Sequence, residues 1–568
     1  MNTIPLTFGI TGHRDPQAED LELLREQVRK VFKLLQQHCP NTPLQLLSPL
    51  AEGADSLVAE VALEEKIQLI VPLPMPQAIY EQDFDNQSKQ NFRDLLKQAS
   101  QVFTLPLVEG NTETNIIEHG DNRNQQYALV GAFIARHSHI LIALWDGVPL
   151  DKMAGTAQVV QFKRTGYMKG LPKEYHPPKN ALDIADMGPV CQIVTARSSK
   201  PEYTVGDIKI LLPNNKDSSD LETLLVPELT SLDQFNLDVK QNIAYSQATQ
   251  KHLLPPKLQE ALPDLAPGFQ NLLGVFGSAN DLAKHFQILV KRLSLSVLTM
   301  AFFMVIFYGW YSSIDHEQPL ALGIYAILFI CSSLTVGFVG WRRYHTKVLD
   351  YRTLAEGLRV QIFWHLSGLN HSVSDHYLRN QRQELGWIRD GIRALNFYDW
   401  LDYQQTLDVV HNRWIMYEKD WFAKIAKQKE HTTRYLNRII TGLFSLGVIL
   451  MITMWTDHMF GEWLWNYSVL QAHPFWHNIL ILLIALFPAT GALLHHYVEK
   501  IALEEEVKQY RRMAELFAVA HQKLEEVSSD TQSNYTAEQI LFEVGTEVLK
   551  EDGEWVLMHR KSPLKVSI

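Results

Sequence analysis

The chain has 568 residues, a formal net charge of −11 at neutral pH and a hydrophobic fraction of 46%. This length predicts more than one domain, and a mean hydropathy of −0.11 indicates soluble domains combined with a few membrane spans. The acidic balance argues against a general nucleic-acid-binding protein. We predict no metal site and no cofactor, because Cys39, Cys191 and Cys331 are scattered without metal-ligand spacing and indicate thiols of a reducing compartment.

The first part of the chain, residues 1–220, begins with alternating strand-like and helix-like patterns. Strands separated by helices predict a parallel sheet with right-handed crossovers, which is a Rossmann-like α/β fold. In such sheets ligands bind beyond the carboxyl ends of the strands. Glycines and polar or aromatic residues stand at those predicted ends: Thr11, Gly12, His13 and Arg14; Glu52, Gly53 and Asp55; Trp145, Asp146 and Gly147; Gly155 and Thr156.

These residue types suit a nucleotide-like ligand. Glycines let backbone amides approach a phosphate, and the N-terminus of a following helix favours negative charge. Arg14 and Arg123 are candidates for bidentate phosphate contacts. Carboxylates for ribose hydroxyls and rings for base stacking complete the candidates: Asp55, Asp146, Trp145 and Tyr127. The alternative is that the glycines only form turns and that His13 and Trp145 are surface or core residues.

The ordered series GITGHRDP, SPLAEGADSLVAEVAL, RNQQYALVGAFIARHSHILIALWDG and AGTAQVV spans about residues 4–165. It resembles the SLOG superfamily of Rossmann-like domains, which are related to the DNA-processing protein DprA, the LOG phosphoribohydrolases and the heads of TRPM channels. The resemblance implies a head that binds a nucleotide or an NAD-derived signal.

The departures from the SLOG pattern bear on activity. LOG-type hydrolases carry a catalytic glutamate in a Gly-Thr-x-x-Glu motif, whereas Gly155 and Thr156 are followed at that place by Val159, and Ala154 replaces a glycine. A valine cannot act as an acid, a base or an oxocarbenium stabiliser. We therefore expect ligand binding rather than hydrolysis. A membrane-tethered nucleotide-processing enzyme that uses another carboxylate of the same edge is the alternative.

Residues 221–290 are predicted as a helical linker that leads into four membrane spans. Each span is apolar and about 20 residues long, enough to cross the bilayer as a helix. The spans are 293–312, 319–341, 438–456 and 475–496. Lys and Arg are absent from 293–341 and 439–499 and frequent on the flanks. The positive-inside rule then predicts a multi-pass protein of the inner (cytoplasmic) membrane with both termini and the segment 342–437 in the cytosol. No hydrophobic stretch precedes these spans, so we expect no cleavable signal peptide.

One phrase occurs twice, each time just after a predicted span: YRTLAE at 351–356 and YRRMAE at 510–515. A fixed offset predicts two related units, 291–437 and 438–568. The repeated residues are Tyr351, Arg352, Ala355 and Glu356, and Tyr510, Arg511, Ala514 and Glu515. In each unit we expect the second span to continue as one helix whose apolar stripe packs within the chain or against another copy. The repeated Arg–Glu spacing predicts a buried ion pair or a domain contact.

Two spans are followed by the repeated phrase and by a closing phrase, GTEVLKEDGEWVLMHRKSP at 545–563. This arrangement resembles the SLATT family of two-span domains. The match covers roughly 280–565 as a tandem, and 385–396 is the candidate for the closing phrase of the first unit. The resemblance implies a membrane-perforating effector of bacterial anti-phage defence. The span cores carry no charge, and Gly337 and Gly340 form a small-residue pair that favours close helix association. We therefore predict a homo-oligomer with a weakly polar pore; a membrane anchor and a ligand-independent scaffold are the alternatives.

Overall fold

The computed structural model describes residues 2–150, 153–178, 187–196, 204–213, 217–242, 253–255, 258, 267–314, 319–378, 382–396, 403–461, 473–500, 502–529 and 536–561. Residues 243–252, 256–257 and 259–266 of the predicted linker lie outside this set, as do 462–472 in the turn between the third and fourth predicted spans. The chain divides into two compact units. The α/β unit comprises 1–279, 354–365 and 370–401, and the helical unit comprises 280–353, 366–369 and 402–568.

A seven-stranded sheet forms the centre of the α/β unit. Its strands are β1 Leu6–Gly12, β2 Leu44–Leu47, β3 Gln68–Leu73, β4 Gln101–Thr104, β5 Ile140–Trp145, β6 Val190–Val194 and β7 Ile208–Leu211. The order is β4-β3-β2-β1-β5-β6-β7, and all neighbours are parallel except β6 and β7. β1, β2 and β5 are apolar and almost wholly buried, as expected for strands covered on both faces. The Rossmann-like α/β fold predicted from the alternating pattern is confirmed.

Helices connect the parallel strands and cover the sheet: α1 Leu21–His38, α2 Ala54–Glu64, α3 Gln77–Tyr80, α4 Asn86–Gln98, α5 Asp121–His137, α6 Thr156–Thr165 and α7 Pro227–Gln241. The chain winds outward from β1 to β4 and then returns to the other side of β1 with β5. The topological switch point therefore lies between β1 and β5, where such sheets bind ligands.

The rest of the described chain is helical: α8 Pro267–Ser313, α9 Pro319–Trp341, α10 Tyr344–Leu366, α11 Val373–His376, α12 Arg382–Ala394, α13 Tyr403–Val410, α14 Tyr417–Thr456, α15 Pro474–Lys500, α16 Leu503–Ser529 and α17 Ala537–Lys561. Four of the long helical stretches are apolar enough to cross a membrane. At most 11% of each apolar window is buried within the chain. Surfaces so apolar and so exposed fit a lipid environment, as the sequence predicts.

The segment after residue 353 differs from the predicted domain boundaries. We predicted 291–437 as one membrane unit, but residues 354–365 and 370–401 belong to the α/β unit. Trp387 of α12 packs on Phe235 of α7 with ring centroids 5.9 Å apart, and a Cβ added to Gly391 would lie 3.1 Å from Ile4. Asp375 pairs with Arg136 of α5. α12 thus packs against residues of the sheet domain, a tertiary contact that local periodicity does not encode.

Each membrane exit helix is interrupted, where the sequence led us to expect one continuous helix. Arg343 and Ala502 have φ angles of 52° and 49°, in the left-handed region that ends a helix. Each stands eight residues before the tyrosine of its motif, so the break recurs at the same position of both repeats. This agreement supports the duplicated unit while correcting its helix boundaries.

The predicted apolar stripes are used inside the chain. Tyr351 packs on Phe286 of α8 with ring centroids 6.0 Å apart, and Tyr510 packs on Phe422 of α14 at 5.7 Å. Val348 and Leu358 of the first stripe and Val507 and Phe517 of the second are also buried. Of the two predicted uses of the stripe, the structure supports packing within one chain.

The arginines of the repeated phrase contact other helices. The Arg352 guanidinium lies 3.9 Å from the Trp555 ring centroid of α17, and Arg511 pairs with Glu430 of α14 at 2.7 Å. Glu356 pairs with Arg359 one turn further on, and Glu515 is exposed. Both arginines thus contact a second helix of the helical unit, and the choice between a buried ion pair and a domain contact stays a prediction.

Candidate functional site

The loops after β1, β2 and β5 meet at the switch point, as predicted. The backbone N–H of His13 donates to the carbonyl of Leu144 at 3.0 Å, and the carbonyl of His13 accepts from Ala54 at 3.0 Å. The buried imidazole of His13 accepts, through Nε2, from the backbone N–H of Asp146 at 3.1 Å. His13 therefore fastens three loops together, and its ring is a structural tie rather than a ligand contact.

Gly12 and Gly53 allow the protein's own backbone to pack closely. A Cβ on Gly12 would overlap Ala54, and a Cβ on Gly53 would overlap the carbonyl of Arg14. Gly53 also has a φ of +83°, which side chains rarely adopt. These glycines were predicted to admit a ligand phosphate. That role stays a prediction; in the structure both glycines serve loop packing, and the His13 carbonyl accepts from the Ala54 N–H at the start of α2.

Arg123, which we predicted as a candidate phosphate contact, is buried in the structure and bonded to the protein itself. Its side chain is 1% exposed. The guanidinium donates to Asp83 at 2.8 Å, to the carbonyl of Ile116 at 2.6 Å and to the Tyr127 hydroxyl at 3.0 Å. The Tyr127 hydroxyl in turn donates to Asp83. The guanidinium donors of Arg123 are therefore used in hydrogen bonds within the protein.

Arg14 remains available at the same place. It is exposed, no described carboxylate forms a salt bridge with it, and its Cζ lies 5.7 Å from the centroid of the half-buried Tyr127 ring. Asp55, in the first turn of α2, is buried. Burial raises the pKa of Asp55 to about 7, against the opposing effects of the Arg14 charge and of a backbone hydrogen bond from Ala51. The crevice thus combines a cation, an aromatic face and a carboxyl group that titrates near neutrality.

The remaining candidates of the β2 and β5 loops divide between core and surface. Trp145 is 7% exposed and belongs to the hydrophobic core, so it cannot stack on a base without rearrangement; Thr11 is buried as well. Glu52 accepts from the Ser88 hydroxyl at 2.6 Å, and Asp146 accepts from the N–H of Val148 at 3.0 Å. Gly147, with a φ of 84°, turns the chain after β5. Asp146, Glu52 and Gly147 stay partly accessible.

Gly155 and Thr156 form the start of α6, and no side chain caps this helix end. Ala154 has a φ of 61°, so the position where the family pattern has a glycine does require a left-handed residue. Val159 lies in the core, and a Cβ on Gly131 of α5 would approach its Cγ2 to 2.7 Å. The Val159 side chain therefore serves packing between α5 and α6.

Two residues of this region were missed by the sequence reasoning. Tyr80 is buried beside Tyr127, with ring centroids 6.3 Å apart, and Asp83 anchors Arg123. Burial of Tyr80, together with the nearby Asp55 carboxylate, raises the pKa of Tyr80 well above its ordinary value. Both follow β3, whose carboxyl end borders the same edge of the sheet. Applying the edge rule to the loop after β3 would have found them.

Comparison with models of known protein families finds no match, and comparison with curated proteins finds none either. Among the described residues no group of three or more His, Cys, Asp or Glu is placed to hold a metal ion. The class therefore follows from fold alone. The chain combines a Rossmann-like α/β unit with an all-helical region that contains four candidate membrane spans.

Proposed function

We propose that the chain is a membrane-anchored sensor-effector. Its α/β unit binds a nucleotide or an NAD-derived signal at the β1–β5 switch point, and this ligand controls an oligomeric helical region that opens or disrupts the membrane. The observation that carries the proposal is the exposed Arg14 beside the Tyr127 ring at the switch point of a doubly wound sheet. The proposed setting, bacterial defence against phage, rests on the SLOG and SLATT resemblances.

The proposed pose follows from charge and shape. A phosphate is placed between Arg14 and the uncapped N-terminus of α6 at Gly155 and Thr156, where backbone N–H groups and the helix dipole favour negative charge. The Tyr127 ring offers an apolar face to the base or ribose. Arg123 takes no part, because its donors are used internally.

The proposed effector role rests on the exposed helices. Gly337 and Gly340 of α9 meet no atom within 4 Å of an added Cβ, which leaves room for close approach of a second copy. The basic flanks support insertion into the inner membrane with both termini in the cytosol. Control by ligand then means that the ligand binds the open assembly better than the closed one, and it shifts the population by that difference in affinity.

One observation favours an enzyme as the second candidate. A buried carboxyl group with a pKa of about 7, such as that of Asp55, suits a general acid or base at neutral pH. Incubation of the full chain with NAD and nucleotides, followed by chromatography, separates the two functions. A product that forms with the wild type and not with Asp55→Asn would establish turnover; intact ligands support the sensor.

The test of the sensor uses the full chain in lipid nanodiscs, titrated calorimetrically with a panel of nucleotides and cyclic ADP-ribose. Arg14→Ala should weaken binding of the active ligand by about 1.5–3 kcal/mol, the range for a hydrogen bond to a charged group. Lys30→Ala removes an exposed cation of α1 and is the matched control. Equal affinity of Arg14→Ala and wild type would mean that the crevice is wrong.

The effector role is tested by dye flux from liposomes that contain the same proteins. Flux should depend on the ligand and should need a higher ligand concentration in Arg14→Ala. Flux that ignores the ligand and this substitution would favour a constitutive scaffold. Complete absence of flux, with binding intact, would leave the anchor function.

A further inference from the structure

A second cavity of about 360 Å³ lies in the α/β unit beside the edge strand β4. One wall is formed by β4 and α5, and the other by the start of α8, the end of α10 and the loop that follows α10. Its main aromatic and apolar lining residues are Phe103, Leu129, Phe133, His137, Phe269 and His365. None of these belongs to the crevice at Arg14, so the cavity needs its own explanation.

The rings of this cavity are held at fixed angles by one another. Phe133 stacks on His137 with centroids 4.1 Å apart, and Phe103 meets Phe133 edge-to-face at 5.7 Å. On the opposite wall Phe269 and His365 lie edge-to-face at 6.4 Å. Rings supported in this way give a preformed slot for a flat ligand, because offset and edge-to-face ring contacts are favourable at these distances.

The cavity has little net charge. Arg136 is paired with Asp375. Burial lowers the pKa of His137 to about 3 and that of His365 to about 4, so both imidazoles are neutral at pH 7. The exposed Glu174 at the rim is the remaining charged lining residue among those described. A phosphate would therefore find no unpaired cation here.

Polar groups are nevertheless present to orient a ligand. His365 Nε2 and Asn396 Oδ1 lie 2.6 Å apart, and Asn370, His371 and Ser372 border the cavity. A mostly apolar cavity with a few fixed polar groups, near the lower end of ordinary ligand-pocket volumes, is typical of a small-molecule site.

We propose that this cavity binds a neutral, planar heteroaromatic compound of nucleobase or nucleoside size. The flat ring inserts between the Phe133 and Phe269 walls, and the exposed amide of Asn370 at the rim orients it through a hydrogen bond. This site is independent of the nucleotide crevice, which offers a free guanidinium instead.

The cavity borders the helix that follows the second predicted span. α10 begins at Tyr344, directly after the end of the α9 span, and ends at Leu366. His365 is thus in the last turn of the helix that leaves the membrane.

The test uses the full chain in nanodiscs, with adenosine as the uncharged probe and adenosine monophosphate as its charged counterpart. Thr104→Trp and Asn370→Trp each place an indole at the mouth from an exposed lining position, on opposite walls. Val102→Trp, on an exposed position of the same strand outside the cavity, is the matched control. Thermal unfolding of each variant establishes that it is folded.

We expect saturable adenosine binding that is weakened at least tenfold in both mouth variants and unchanged in Val102→Trp and Arg14→Ala. Loss of adenosine binding in Arg14→Ala with retention in the mouth variants would overturn the proposal, since the probe would then use the nucleotide crevice. Absence of saturable binding at millimolar adenosine, or displacement of the probe by 1-octanol, would overturn it as well. Binding of the monophosphate at Arg14 is unaffected by either result.

Discussion

Two arginines flank the Tyr127 ring, and they give a sharp test of which residues bind ligand. The Cζ atoms of Arg14 and Arg123 lie 5.7 Å and 5.8 Å from its centroid. Arg14 is exposed, whereas the Arg123 side chain is 1% exposed. We predict that Arg14→Ala impairs ligand binding with the fold intact and that Arg123→Met destabilises the α/β unit.

The magnitude follows from what each substitution leaves behind. Arg123→Met removes the partner of Asp83, whose side chain is only 5% exposed, and frees the carbonyls of Ile116 and Ile79. Breaking a buried ion pair from one side costs about 3–5 kcal/mol, because a desolvated charge is left unpaired. Arg14→Ala leaves no buried group unpaired, so the free energy of unfolding should change by less than about 0.5 kcal/mol.

The coupling between the partners provides an internal check. Asp83→Asn alone leaves the Arg123 guanidinium buried without its counter-ion. The double variant Arg123→Met with Asp83→Asn removes both charges, so its cost should fall well below the sum of the single costs, with a coupling energy of about 1–3 kcal/mol. If the cost of the double variant equals the sum of the two single costs, Arg123 and Asp83 do not interact as the structure shows.

Pulse proteolysis of the full chain in urea measures these differences without isolating the α/β unit. The urea concentration at which the α/β unit becomes cleavable should fall in Arg123→Met and in Asp83→Asn, and stay constant in Arg14→Ala. The reasoning is refuted if Arg123→Met unfolds at the wild-type urea concentration but no longer binds the ligand. Arg123 would then be the phosphate contact that the sequence suggested.

Three further predictions concern pH, the helical unit and topology. The raised pKa of Asp55 means that its contribution to stability is complete below about pH 3.8 and is lost as pH rises toward 7. Asp55→Asn should flatten this decline, by roughly 1.4 kcal/mol per pH unit in that window, in urea unfolding curves measured from pH 4 to 8. Trp555→Leu should remove the Arg352 contact and lower the free energy of unfolding by at least the cation–π energy of about 0.5–2 kcal/mol, seen as a lower melting temperature of the full chain. Val519→Leu, at an exposed site on α16, should leave the melting temperature unchanged. Cysteine at Ser313 should react with an impermeant maleimide from outside and cysteine at Lys419 should not; the reverse result would invert the predicted orientation.

The fold could be predicted because its signals are local and repeated. Apolar strands such as Ile140–Trp145 alternate with amphipathic helices such as Leu21–His38, and the spans are long and uncharged. The break at Arg343 and Ala502 could not be predicted in the same way. Neither residue is a glycine or a proline, and the apolar pattern continues across both sites, so periodicity alone favours an unbroken helix.

The location of the candidate site in the sheet could be predicted from the sequence, but the contacts of its side chains could not. The edge rule located the loops of Gly12, Gly53 and Asp146 correctly, because topology alone decides which strand ends meet. It could not tell Arg14 from Arg123, since only the fold shows which guanidinium is enclosed. Arg123 stands in the first turn of α5, where the loop carbonyls of Ile116 and Ile79 happen to converge on it. Burial is a property of the assembled unit and has no short-range signal.

The two copies of the repeated phrase lie on helices that belong to different parts of the structure. We therefore expect the two helices to have different roles. α16 lies wholly in the helical unit, where Arg511 pairs with α14. α10 is divided: Tyr351 and Arg352 belong to the helical unit, whereas Ala355 and Glu356 belong to the α/β unit. α10 is one helix of 23 residues, and its internal hydrogen bonds resist bending. If the sensor controls the membrane region, α10 is the element that we expect to carry the signal, and α16 the one that holds its own bundle together. Two glycines placed in succession at Thr353 and Leu354 should therefore reduce ligand-dependent flux with ligand affinity retained. Glycine at both Arg512 and Met513 should lower the stability of the helical unit, and flux should still depend on the ligand.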